Sequence, residues 1–114
     1  MADYHEPTDE LTEEARNFSR ALTSLKEEIE AISWYHQRVV ASKDEALKNI
    51  MAHNRDEEIE HACMTIEWLR RNMDGWDEEL RTYLFKEGDI TSLEEEEEEA
   101  EENSDKDLGI GKIK

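Results

Sequence analysis

The chain has 114 residues, 36% hydrophobic and 40% charged, with a formal net charge of −18. That length allows one domain with too little apolar material for a large core in a lone chain, so metal or oligomerisation must help. The charge excludes nucleic acid, whose phosphates it would repel, and the lack of a long apolar run excludes a membrane span.

Met1 to Leu11 carries acids and no apolar run, so no signal peptide is expected. Cys63 is the single cysteine, which rules out an intramolecular disulfide and suits a reducing cytoplasm. Nothing breaks a helix from about Asp9 to Ala41. Ser42-Lys43-Asp44-Glu45 reads as a capping box, a hydroxyl with a carboxylate three residues on, and predicts a second helix from Lys43 to about Met73. Arg70 and Arg71 suit its negative end. Gly75 permits a turn, and a short third helix is expected over about 76–86, ended by Gly88-Asp89. The two long helices would each span about 45 Å. Their short connection favours an antiparallel hairpin, so the fold class is all-α. Residues 1–93 would form the helical domain. Residues 94–107 hold ten acids and one lysine, half of the net charge. They are expected to form a disordered linker, because like charges repel and nothing apolar is there to bury. Apolar residues return at 108–114.

Two polar residues sit where an apolar one would pack better. On a wheel of 100° per residue centred on Glu58, Leu47, Met51, Ala62, Thr65 and Leu69 fall within about 40°. His61 lies about 60° away, on the same face. Centred on Glu28, Ala21, Ile32, Tyr35 and Val39 fall within about 40°. Each long helix therefore carries a carboxylate at the middle of its apolar face. His36 and His53 fall off these stripes and are expected at the surface, and Cys63 lies about 140° from Glu58.

An interred bare carboxylate costs several kcal/mol even after relaxation. Protonation, a cationic partner such as Arg38 or Arg55, or a metal ion could compensate, and a solvated helix face would need no compensation. A metal would also account for the imidazole. Ferritin-like di-iron bundles take a lone Glu from each of two helices and Glu-x-x-His from each of the other two. One lone Glu28 and one Glu58-x-x-His61 make half such a set, so two copies would be needed to complete a four-helix bundle. Carboxylate oxygen with imidazole nitrogen suits iron that must meet oxygen.

The segments "EEIEAISWYHQRV", "AHNRDEEIEHACMTIEWLRRN" and "LRTYLFKEG" resemble the encapsulated ferritins. The resemblance covers most of residues 5–93 and resumes in the last eight. It implies a short ferritin-like protein that forms a homodimer and then a ring-shaped homodecamer. It implies an oxidoreductase, a ferroxidase that oxidises Fe(II) with dioxygen at a di-iron site between two chains, two irons per dimer. It implies cargo of an encapsulin nanocompartment in the cytoplasm, serving iron mineralisation and storage. Carried over by motif, the ferroxidase ligands are Glu28, Glu58 and His61. A secondary site falls on Glu27 and Glu30, for calcium or another divalent ion, with Trp34 and Tyr35 nearby. A pair of ordinary surface acids is the plain alternative for Glu27 and Glu30, and packing for Tyr35.

The tail resembles the peptide that binds encapsulin shells. Leu108, Gly109, Ile110, Gly111 and Ile113 match its apolar and glycine positions, while Lys112 stands where serine is usual and Ile113 where leucine is. Two other functions remain open from the residues: a non-catalytic metal-binding bundle, and a structural helical hairpin that carries a partner-binding tail.

Overall fold

A stretch without proline or glycine does become the first long helix, but a side chain chooses where it starts. The computed structural model describes residues 4–108, with side chains to residue 103. A single 3-10 turn covers Thr8–Glu10. Helix α1 follows at Glu13–Ala41, later than the sequence predicts. Thr12 caps it, its hydroxyl oxygen accepting from the Ala15 amide at 3.0 Å, which satisfies one of the first-turn donors. Helix α2 spans Glu45–Asn72. Its cap is Asp44, which accepts from the Leu47 amide at 2.9 Å. Ser42, the expected cap, instead ends α1 and donates to the Asp44 carbonyl at 3.3 Å. The capping-box reading was therefore two residues early: the carboxylate nearer the helix reached the orphan amide first.

The contacts between α1 and α2 run in opposite chain order, so the hairpin is antiparallel. Phe18 meets Trp68 edge-on with ring centroids 6.1 Å apart. Thr65 bonds Glu28 at 3.1 Å. Arg55 donates to His36 Nδ1 at 3.1 Å. At the far end of α2, Glu67 takes a bidentate pair of bonds from Arg70, both 2.8 Å, and one from Arg71 at 2.6 Å. The Arg70 bonds, then those of Arg71, lower the Glu67 pKa to about 2.

The described residues fall into two units divided after Met73. In the second unit, helix α3 is Trp76–Tyr83 and helix α4 is Ser92–Leu108. Helix α3 stops three residues short of the expected Lys86. Leu84 closes it, its amide bonded to the Leu80 carbonyl at 2.9 Å, and Phe85 follows with φ 60°. That left-handed position usually belongs to glycine, so no residue signal marked the stop.

Helix α4 overturns the disordered linker expected over 94–107. Glutamate is a good helix former, and no glycine, proline or β-branched residue interrupts Leu93 to Ala100. Glu94 and Glu95 occupy the first turn, where negative charge suits the helix dipole. Just before it, Thr91 and Ser92 donate their hydroxyls to Asp89 at 2.8 and 2.9 Å, and these bonds lower the Asp89 pKa. Leu93 is buried and anchors the helix start. The sequence reading gave repulsion too much weight against propensity, since like-charge pairs at i,i+4 cost only about 0.2–0.5 kcal/mol each. Repulsion still opposes the helix, so salt should strengthen it. Amide exchange across 92–108 is expected to slow several-fold between about 10 mM and about 1 M salt, as the Debye length shrinks from about 30 to about 3 Å. Equal exchange at both would show that repulsion is not what limits α4.

Among the described residues, the buried side chains are Leu25, Ala62, Leu69, Leu93 and Thr82. Only Leu25, Ala62 and Leu69 of these lie on α1 and α2, a thin core for helices of 29 and 28 residues. No described helix is long and apolar enough to cross a membrane.

Candidate metal centre

The site begins on α2. One helical turn brings Glu58 and His61 together, Nδ1 lying 3.3 Å from Glu58 Oε1. With the proton on Nδ1 this contact is a hydrogen bond, and Nε2 keeps a bare lone pair able to take a cation. Glu28 enters from α1. Its Oε1 accepts from the Thr65 hydroxyl at 3.1 Å, and Thr65 lies one turn beyond His61. Glu28 therefore reaches the α2 pair through Thr65. Among the described residues of one chain, no group of three or more His, Cys, Asp or Glu is placed to hold a metal ion.

The carboxylates are less deeply placed than the wheel implied. Glu28 is half-buried. The Glu58 side chain is 26% exposed and that of His61 47%. In one chain, water still reaches all three, so the full burial cost would arise only when something covers them. The two arginines considered as partners have contacts elsewhere. Arg38 lies over the Tyr35 ring, 5.3 Å from its centroid. Arg55 pairs with Asp56 at 3.0 Å as well as with His36.

His61 lies in a seam that the sequence reading did not isolate. Leu47, Ile50, Asn54, Glu57, His61, Met64 and Trp68 lie along one stripe of α2 at alternating spacings of three and four, the spacing at which one helix meets another. Of the seam's large apolar residues, Leu47, Ile50 and Met64 are 47, 54 and 57% exposed, and Trp68, which meets Phe18 on α1, is 38% exposed. The seam's ends are apolar and its middle is polar. Beside the seam, an open groove of about 370 Å³ runs between the helices, lined by Ser24, Ala21, Met64, Thr65 and Trp68 among others.

The residues expected at the secondary site share the other side of α1. Glu27 and Glu30 are exposed, and Trp34 is 53% exposed. One chain supplies no third acidic or imidazole group to them among the described residues. Tyr35 is half-buried beneath Arg38. His36 and His53 are exposed, as is Cys63, and His53 lies 3.6 Å from Glu57. Of the targeting residues, Gly109, Ile110, Gly111 and Ile113 lie outside the described residues, and Leu108 is described only as the last residue of α4. Thr65 is the site residue that sequence reasoning missed. Its signal was a hydroxyl at an apolar-face position, one turn from His61.

The pattern of the EncFtn-like family matches residues 3–87. The chain belongs to that family. An encapsulated ferritin-like protein of Rhodospirillum rubrum is 51% identical over 121 residues, covering 96% of this chain and 86% of its own. A ferritin-like protein of Thermotoga maritima is 64% identical over 114 residues, 99% of this chain and 100% of its own. Among solved structures, a Nitrosomonas europaea protein superposes with a TM-score of 0.74 at 55% identity, covering 76% of this chain and 96% of that one. The resemblance seen in the helical segments is thus a membership, and the EncFtn-like fold is the two long helices with the short one after them.

Proposed function

We propose that this EncFtn-like chain is a ferroxidase whose di-iron site is completed by a second copy, and that it works as cargo of an encapsulin compartment. The seam carries this reading. His61 sits within a stripe whose apolar ends are uncovered, so whatever covers the stripe also covers His61. When two copies of such a stripe pair antiparallel about a two-fold axis, the stripe meets itself at its midpoint. Residues 47–68 have their midpoint between Glu57 and Glu58, so that axis would bring both copies of Glu58 and His61 together. Two Glu28, two Glu58 and two His61 then supply six ligands, the set of a di-iron bundle.

Iron is the substrate. Carboxylates take Fe(II) readily and exchange with water, which lets Fe(III) leave. Two ferrous ions together give two electrons to dioxygen. The chain contributes ligand geometry, negative charge, and shelter from bulk water once paired. Glu27 and Glu30, with an exposed indole beside them, suit a site that holds divalent ions on the way in, for which calcium is a usable probe. The homodimer is supported by the seam argument, whereas the ten-chain ring rests on the family resemblance alone. Shell association, and with it a cytoplasmic compartment and a role in iron storage, draws on the Rhodospirillum relative, itself described as encapsulated, and on the sequence at 108–113.

Anaerobic loading of the full chain with Fe(II), followed by mass measurement and iron counting, tests the shared site. One iron per chain in an even-numbered assembly, with a rise in ferric absorbance on admitting air, is the expected result. Iron bound with no absorbance change would point to a non-catalytic metal bundle. Assembly that ignores both iron and chelator, with no iron retained, would leave a structural hairpin.

A further inference from the structure

We propose that Thr65 is a positioning residue that sets the Glu28 carboxylate for metal binding; this rests on the reading of Glu28 as a ligand. Glu28 and the Glu58–His61 pair stand on different helices, and a glutamate side chain has several free rotors. Something must hold its carboxylate relative to α2. The Thr65 hydroxyl lies 3.1 Å from Glu28 Oε1 and 3.2 Å from the His61 carbonyl oxygen. It has one proton to give. A carboxylate is the stronger acceptor, so the proton goes to Glu28. The bond to the carbonyl one turn back is the fallback common to threonine in helices.

Three features make this a useful tether. A β-branched side chain has few first-torsion states, and the hydroxyl's seat beside the His61 carbonyl is one of the two that threonine takes in a helix. The bond occupies Oε1 and leaves Oε2 for a cation. The same hydroxyl lies against the His61 backbone, so one side chain registers Glu28 against the turn that carries the imidazole. Hydrogen bonds to ligating carboxylates orient them in this way in metal sites generally. Thr65 is half-buried on the apolar face, where valine would pack with equal shape and no hydroxyl.

The test is anaerobic Fe(II) titration of the full chain by calorimetry, with thermal melts alongside. Thr65→Val should raise the Kd for Fe(II) about ten-fold, with its melting temperature close to the parent's. Thr65→Ser should stay within about two-fold of the parent, because the hydroxyl is kept. Thr65→Ala, a better helix former, should follow the valine variant and replaces it if that folds poorly. Parent affinity in the valine or alanine variant would overturn the proposal, and so would equal weakening in the serine variant. Glu28→Gln and His61→Ala are measured in the same series. If those two bind Fe(II) as the parent does, the metal centre itself is wrong. If they lose iron while Thr65→Val keeps it, only the tether is wrong.

Discussion

His61→Ala is expected to slow ferrous iron oxidation by more than about 100-fold, since loss of a ligand should exceed the 10- to 100-fold typical of outer-sphere changes. Helix α2 should persist. The His61 side chain is 47% exposed, and among the described residues its ring nitrogen contacts only the carboxylate one turn away at 3.3 Å. Alanine is the better helix former, so folding stability should move by no more than about 0.5 kcal/mol. Glu58→Ala should behave alike. Stopped-flow absorbance after aerobic Fe(II) addition reads the rate, and circular dichroism reads the helix. Parent-like oxidation by either variant would remove Glu58 and His61 from the site.

Met64→Glu should cost as much activity without touching a ligand. Met64 is 57% exposed in one chain, so a glutamate there leaves the lone hairpin's folding nearly unchanged. In a paired seam it would place an unpaired carboxylate in an apolar contact, a cost of several kcal/mol in each of two copies. The expected outcome is a smaller assembly in light scattering, with iron binding and rapid oxidation both lost. Asn49→Glu, an exposed change off the seam, is the control and should alter neither. An assembly unaffected by Met64→Glu would show that a different face joins the copies. A disrupted assembly that still oxidised iron quickly would show that one chain holds a sufficient site.

These two experiments separate the proposed ligands from the surface proposed to bring them together, and the sequence separates them in the same place. Glu58 and His61 were legible because three residues along a helix is a local relation: any helix there puts them on one side. Glu28 was legible for a similar reason, as an acid centred on an apolar stripe that local periodicity exposes. The three long-range facts were not. That Glu28 meets Thr65 depends on the register of α1 against α2, which no local pattern encodes. That both carboxylates remain partly wet in a single chain depends on what does and does not cover them. That α4 forms depends on a competition among glutamate propensity, charge repulsion and a buried Leu93, whose terms are each a few tenths of a kcal/mol per residue and sum to either sign.

The sequence by itself therefore determined an all-helical hairpin, the family, and which acid and imidazole side chains share a helix face, because periodicity and residue type act over one or two turns. Caps and stops were decided at the level of single atoms: Asp44 rather than Ser42 reached the Leu47 amide, and Phe85 took a conformation that its side chain does not favour. Only tertiary structure decided which side of α2 faces α1 and which is left open. Packing one helix against another uses a stripe of each, on the order of 100° wide. The spacing of the seam with His61 in it lies in the chain, but that this stripe is left uncovered is settled by that choice.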